Sequence, residues 1–123
     1  MGVRDPEQNH AVFERAVNAG DVDALAALYE PEAVYVAGAA QTLVGRKAIR
    51  LALAGWLATK PRLRLELTGL TVAGDLALER SRWTVVMPGA DGKSQESSGL
   101  SCVVLRRQAD GTWLMAVDDP GIG

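Results

Sequence analysis

Cysteine and histidine are nearly absent from this 123-residue chain, which has one of each, Cys102 and His10. A single cysteine cannot close an internal disulfide, and one Cys with one His cannot assemble a Cys/His zinc site, so neither staple is expected and no metal is. A surplus of positive charge is lacking too. Thirteen Lys plus Arg against fifteen Asp plus Glu leave a net charge of −2, so the basic footprint of a nucleic-acid binder is missing. No apolar run approaches the ~18 residues a membrane span needs. The opening Met1-Gly-Val-Arg-Asp-Pro-Glu7 has no apolar signal-peptide core. The expectation is a cytoplasmic protein with no membrane and no nucleic-acid partner. What the chain does have is 48% hydrophobic residues, enough at this length to bury roughly two-thirds of the unfolded surface around one core. One domain over residues 1–123 is therefore expected.

Helix signals crowd the first half. Asp5 as N-cap, Pro6 at the first helical position and Gln8 three residues after the cap open a helix. Val12, Phe13, Ala16 and Val17 carry it to about Ala19, and Gly20 suits the left-handed position that ends it. Asp21 caps a second helix with Ala24, Leu25 and Leu28 on one stripe, ending at Glu30 because Pro31 disfavours helical geometry before it. Ala33–Ala37 and Gln41–Val44, joined through Gly38-Ala-Ala40, read as a small hairpin. Ile49, Ala52, Leu53, Trp56 and Leu57 mark a third helix over 46–59, closed by Pro61.

From Arg62 the period changes to two, with Leu63, Leu65 and Leu67 on one face. Long extended runs follow over 76–87 and 94–108, and Ala109-Asp-Gly-Thr112 turns the chain into Trp113–Val117, so consecutive strands should pair antiparallel. Helices segregated from an antiparallel sheet make an α+β fold, a curved sheet wrapped around three N-terminal helices as a cone. Trp83, Trp113, Met115 and Val117 are candidates for an outer sheet face that needs covering. Cys102 reads as a small buried hydrophobe, Arg46, Arg50, Arg62 and Arg64 as a solvated face, and His10 as lying near the start of an exposed helix.

Asn18-Ala-Gly-Asp-Val-Asp-Ala-Leu25, Leu28-Tyr-Glu-Pro-Glu-Ala-Val34, Gly45-Arg-Lys-Ala-Ile-Arg50, Ala73-Gly-Asp-Leu-Ala77 and Leu105-Arg-Arg-Gln-Ala-Asp-Gly-Thr-Trp113 resemble the SnoaL-like, YybH-type branch of the nuclear transport factor 2-like superfamily. That superfamily has a cystatin-like fold and includes steroid delta-isomerases, limonene epoxide hydrolase and polyketide cyclases. The resemblance places Phe13, Ala37 and Val103 where a steroid isomerase carries a Tyr, a general-base Asp and a protonated Asp; none of the three can do that chemistry. It matches Arg80 and Asp118 to two members of the epoxide hydrolase Asp-Arg-Asp set, with Arg82 in place of the third.

The resemblance thus implies a small-molecule-binding protein, an isomerase, cyclase or hydrolase without cofactor, acting on a small apolar or anionic substrate. Asp118 is then the base or water-orienter, with Arg80 and Arg82 stabilising developing oxyanion charge. Tyr29, Tyr35, Trp56, Leu65, Ser101 and Val103 are the expected substrate contacts, and a homodimer through the sheet is the expected assembly. The alternative is a non-catalytic ligand-binding or dimerisation module. Both faces of 76–87 are mixed, so the alternation itself leaves two possibilities open: a slip of one residue exchanges Arg80 and Arg82 for Glu79, Ser81 and Trp83 as pocket residues, and the Arg pair then meets acids across the sheet.

Overall fold

Side chains that accept the free N–H groups of a first turn set the helix starts in the computed structural model, which describes residues 2–38 and 41–122. Asp5 accepts from Glu7 N at 3.0 Å and opens a 3-10 turn, Pro6–Gln8, that runs into α1 (Asn9–Ala19). Gly20 ends α1 at φ 67°, a left-handed conformation that costs glycine little. Asp21 accepts from Ala24 N at 3.0 Å and caps α2 (Val22–Ala26). This helix stops short of the expected Glu30. Tyr29 already lies opposite Met115 in the sheet, and Pro31 is accommodated in extended backbone, so β1 runs Tyr29–Gly38. Strand β2 (Gln41–Val44) pairs back on β1, their connecting Ala39 and Ala40 lying outside the described residues. After α3 (Arg46–Leu57) come four strands, β3 (Arg62–Ala73), β4 (Leu76–Pro88), β5 (Ser94–Arg107) and β6 (Trp113–Asp119). Among the described residues no helix is long and apolar enough to cross a membrane.

The six strands form one sheet in the order β2-β1-β6-β5-β4-β3. All pairings are antiparallel except β1 with β6, which run parallel and bring the start of the sheet beside its end. The helices lie over the concave face, burying Val17, Leu25, Tyr29, Ile49, Leu105 and Met115 almost completely. Helix α1 also closes the outer edge of β3. Asn18 accepts from Leu63 N at 2.7 Å and donates to Leu63 O at 2.9 Å, and Glu14 accepts from Leu65 N at 2.7 Å. Two helix side chains thereby occupy the backbone groups that an edge strand otherwise leaves open to another chain.

One irregularity decides what faces inward. Val104 lies opposite Val117, but Leu105 lies opposite Met115, so Ala116 is an extra residue in β6, a bulge. In a regular strand Met115 and Asp118 would point to opposite faces; the bulge brings both to the buried side, with Met115 1% and Asp118 5% exposed. Trp113 and Met115 belong to the core and Trp83 packs against it, which corrects their expected place on an outer face.

Candidate functional site

Between the concave sheet and helices α1 and α3 lies a cavity of about 340 Å³. Its walls are mostly apolar, with Phe13 from α1, Trp56 from α3 and Leu65 from β3. Across the floor runs one row of opposed residues: Tyr35 of β1, Asp118 of β6, Val103 of β5 and Glu79 of β4. Asp118 and Glu79 are thus separated by two strand spacings, roughly 10 Å between backbones. Ser81 and Ser101, opposed on β4 and β5, form the next row. Trp83 closes one side; a Cβ on Gly99 opposite would sit 2.6 Å from its indole, so glycine there lets the ring lie flat on the strand, and its Nε1 donates to Pro120 O at 2.7 Å.

Both carboxyl groups are buried and neither has a cationic partner. Burial pushes the Asp118 pKa up to about 6; the Tyr29 hydroxyl, donating to Asp118 Oδ2 at 2.6 Å, opposes that rise, and the neighbouring charge of Asp119 adds to it. Glu79, 3% exposed, is pushed up to about 7 by burial; the Asn9 amide donating to Oε2 at 3.1 Å opposes this, the Asp118 charge reinforces it, and the Ser81 hydroxyl nearby opposes it in turn. Burial, followed by the charge of Asp118, also raises the Tyr29 hydroxyl well above its ordinary value and takes Tyr35 to about 12. Both phenols therefore stay protonated at neutral pH.

The structure brings Asp118, Tyr35, Trp56, Leu65, Ser101 and Val103 together around the cavity. Tyr29 is fully buried beside Asp118 and is not part of the lining, so it holds the carboxylate without facing a ligand. Arg80 and Arg82 require correction. Alternation along β4 turns Ala77, Glu79 and Ser81 inward and leaves both arginines exposed on the convex face. There Arg82 reaches Glu66, directly opposite on β3, at 3.9 Å, and Arg80 lies against Gly69, whose missing side chain makes room for the guanidinium. Asp118 is accordingly tuned by a phenol, with no guanidinium beside it. His10, expected on an exposed helix, is half-buried and lines the cavity with Asn9. Asn9, Phe13 and Val17 lie at i, i+4 and i+8, so extending the apolar stripe of α1 back one turn was the signal for Asn9. Cys102 is half-buried and opposite Arg80. Among the described residues no three His, Cys, Asp or Glu side chains converge as a metal cage requires.

The SnoaL-like domain family matches residues 10–114 of the chain. No curated protein matches the sequence. Solved structures share the fold at low identity. A nuclear transport factor 2-like protein with a cystatin-like fold from Novosphingobium aromaticivorans is 21% identical, with a TM-score of 0.77 over 94% of this chain and 79% of that one. A candidate dehydratase of the nuclear transport factor 2-like family from Streptomyces avermitilis is 20% identical, TM-score 0.75, over 92% and 91%. A candidate calcium/calmodulin-dependent protein kinase type II association domain from Thiobacillus denitrificans is 20% identical, TM-score 0.78, over 98% of each chain. Proteins of different descriptions thus share one cone-shaped fold, and the reaction has to be argued from the cavity. With the family match spanning most of its length, the chain belongs to the SnoaL-like domain family.

Proposed function

We propose that this protein binds a small, mainly apolar organic molecule and moves protons on it, with Asp118 as base and Glu79 as acid. The observation that carries the reading is the pair of buried carboxyls in one apolar cavity, each raised toward neutrality by burial and each held by a different hydrogen-bond donor. At pH 7 a group with a midpoint of about 6 is mostly ionised, and one of about 7 is half protonated, the division of labour that acid–base catalysis needs. Asp118 takes a proton from a carbon next to a carbonyl, the electron pair moves toward oxygen, and Glu79 delivers its proton to the oxygen that gains charge. Isomerisation, cyclisation and dehydration share this step, the last being the reaction for which one structural neighbour is named. As written it uses neither metal nor organic cofactor.

An anionic substrate loses its support once Arg80 and Arg82 face outward, because no Lys or Arg lines the cavity among the described residues and two carboxyls do. The second reading, a binding module without turnover, is favoured by Phe13 and Val103, apolar residues that line the cavity where the resemblance puts isomerase groups. Exchange in deuterated water separates the two. A panel of ketones and enones followed by proton NMR should show enzyme-dependent loss of α-hydrogen signal, falling at least ~100-fold in Asp118→Asn. Exchange that is absent for every compound, or undiminished in the variant, contradicts the catalytic reading.

The free thiol of Cys102 keeps a reducing cytoplasm as the setting of this proposal. Pairing through the convex sheet face belongs to it as well, because Leu76, Leu78 and Leu100 are exposed there, at 44%, 36% and 39%. Sedimentation of wild-type protein as a dimer, with Leu78→Glu sedimenting as a monomer, is the expected result; a wild-type monomer at all concentrations contradicts it.

A further inference from the structure

At the cavity Asn9 Oδ1 and His10 Nδ1 are buried with no hydrogen-bond partner, and Ser81 Oγ has none of ordinary geometry, its hydroxyl lying near enough to Glu79 to lower the pKa of that carboxyl. Asn9 and Ser81 are each 2% exposed, and all three residues line the cavity. The Asn9 amide nitrogen is committed to Glu79 Oε2 at 3.1 Å, so its remaining oxygen is an acceptor only. Ser81 stands two residues from Glu79 on the same face of β4, its hydroxyl able both to donate and to accept. Native interiors seldom leave such atoms unpaired, and a ligand that completes the site must bring a donor for Asn9 Oδ1 and a lone pair for a protonated Glu79. A ketone or ether offers no donor. A carboxylate adds a third negative charge. An ammonium group brings donors but no lone pair for a protonated Glu79, and it must shed its hydration in a mostly apolar chamber.

We infer that Asn9, Ser81 and Glu79 form a subsite for a ligand hydroxyl group, the form that the substrate oxygen takes once Glu79 has protonated it, and that an uncharged alcohol with an apolar body is the stable ligand it holds most tightly. The inference rests on the cavity being the small-molecule site proposed above, and it names the polar group that the Glu79 end recognises. His10, next to Asn9 on the first turn of α1, is positioned to take part through its unpaired Nδ1.

Menthol, menthone and menthylamine share one carbon skeleton and differ in this group alone, so calorimetric titration of the three tests the subsite. Menthol is expected to bind at least ~10-fold more tightly than either relative, because a site built to pair a hydroxyl leaves its own groups unpaired with an analogue that lacks it. Asn9→Ala and Ser81→Ala should each weaken menthol at least ~5-fold and leave menthone nearly unchanged; the serine variant loses a single oxygen, and wild-type selectivity stands as a test by itself. Menthone binding as tightly as menthol, menthylamine binding most tightly, or a menthol preference that survives both substitutions overturns the hydroxyl subsite while the cavity remains a small-molecule site. If none of the three binds, the subsite and the small-molecule reading fall together.

Discussion

At pH 8 the Glu79→Gln variant melts on the order of 5–10 °C above the wild-type protein, while at pH 4 the two melt together. The direction follows from linkage. The Glu79 carboxyl is held at about 7 in the folded chain against an ordinary 4.5, so the native state binds more protons than the unfolded state across that window, and stability falls as pH rises through it. Above pH 7 the folded protein carries a buried carboxylate with no cationic partner, a cost of about 3 kcal/mol. Gln keeps the shape and can still accept from Asn9, but it never ionises, so the cost disappears. Below about 4.5 the glutamate is protonated in both states and the substitution has little to relieve. Asp118, raised from 3.8 to about 6, gives a slope of the same sign at slightly lower pH. The wild-type protein is therefore more stable at pH 5 than at pH 8. A Gln variant that melts below wild type at pH 8 contradicts the assignment of Glu79 as a buried acid without a cationic partner.

Tyr29→Phe loses about 2–3 kcal/mol at pH 8, and less at pH 4, in urea denaturation. The lost bond is the 2.6 Å donation from the buried phenol to Asp118 Oδ2, and hydrogen bonds to charged groups are worth roughly twice neutral ones. At pH 8 the variant must hold an ionised Asp118 with that donor gone; at pH 4 the carboxyl is neutral and the loss is that of an ordinary buried hydrogen bond. The same substitution moves the Asp118 midpoint above about 6, because the partner that opposes the effect of burial has been removed. In the Asp118→Asn background the Tyr29→Phe penalty should shrink and lose its pH dependence. A penalty equal at both pH values, in both backgrounds, would make Tyr29 a packing residue only.

Helix starts and ends are written in local chemistry, and that is why they were legible: Asp5, Gly20 and Asp21 act at the positions their side chains or backbone freedom suggest. The apolar stripe of α3 and the alternation of Leu63, Leu65 and Leu67 are local as well. What escaped the sequence depends on partners far along the chain. Tyr29 joins a strand because β6 lies beside it, and Met115 N donates to Leu28 O at 2.7 Å, an interaction spanning most of the chain. The bulge at Ala116 has no residue signature, yet it decides that Met115 and Asp118 share a face. Strand β4 was ambiguous for a physical reason. Its convex face carries Leu76 and Leu78 beside two arginines, and its concave face carries Glu79 and Ser81 beside Ala77 and Val85, so alternation in hydrophobicity does not separate the two. The resemblance brought Asp118 to the cavity and put the arginines there as well; the observed register keeps the first and moves the others outside. The consequence is chemical, since a guanidinium beside Asp118 would hold it ionised well into acid, whereas a phenol leaves it titrating close to neutrality.

The account turns on two carboxyls that titrate near neutrality in one cavity. Carbon-13 NMR of the side-chain carboxyls, assigned with Glu79→Gln and Asp118→Asn and followed from pH 3 to pH 9, reads both midpoints directly. The account predicts about 7 for Glu79 and about 6 for Asp118. Ordinary values near 4 for both would mean that the two groups are solvated or paired, and would leave the cavity without its acid.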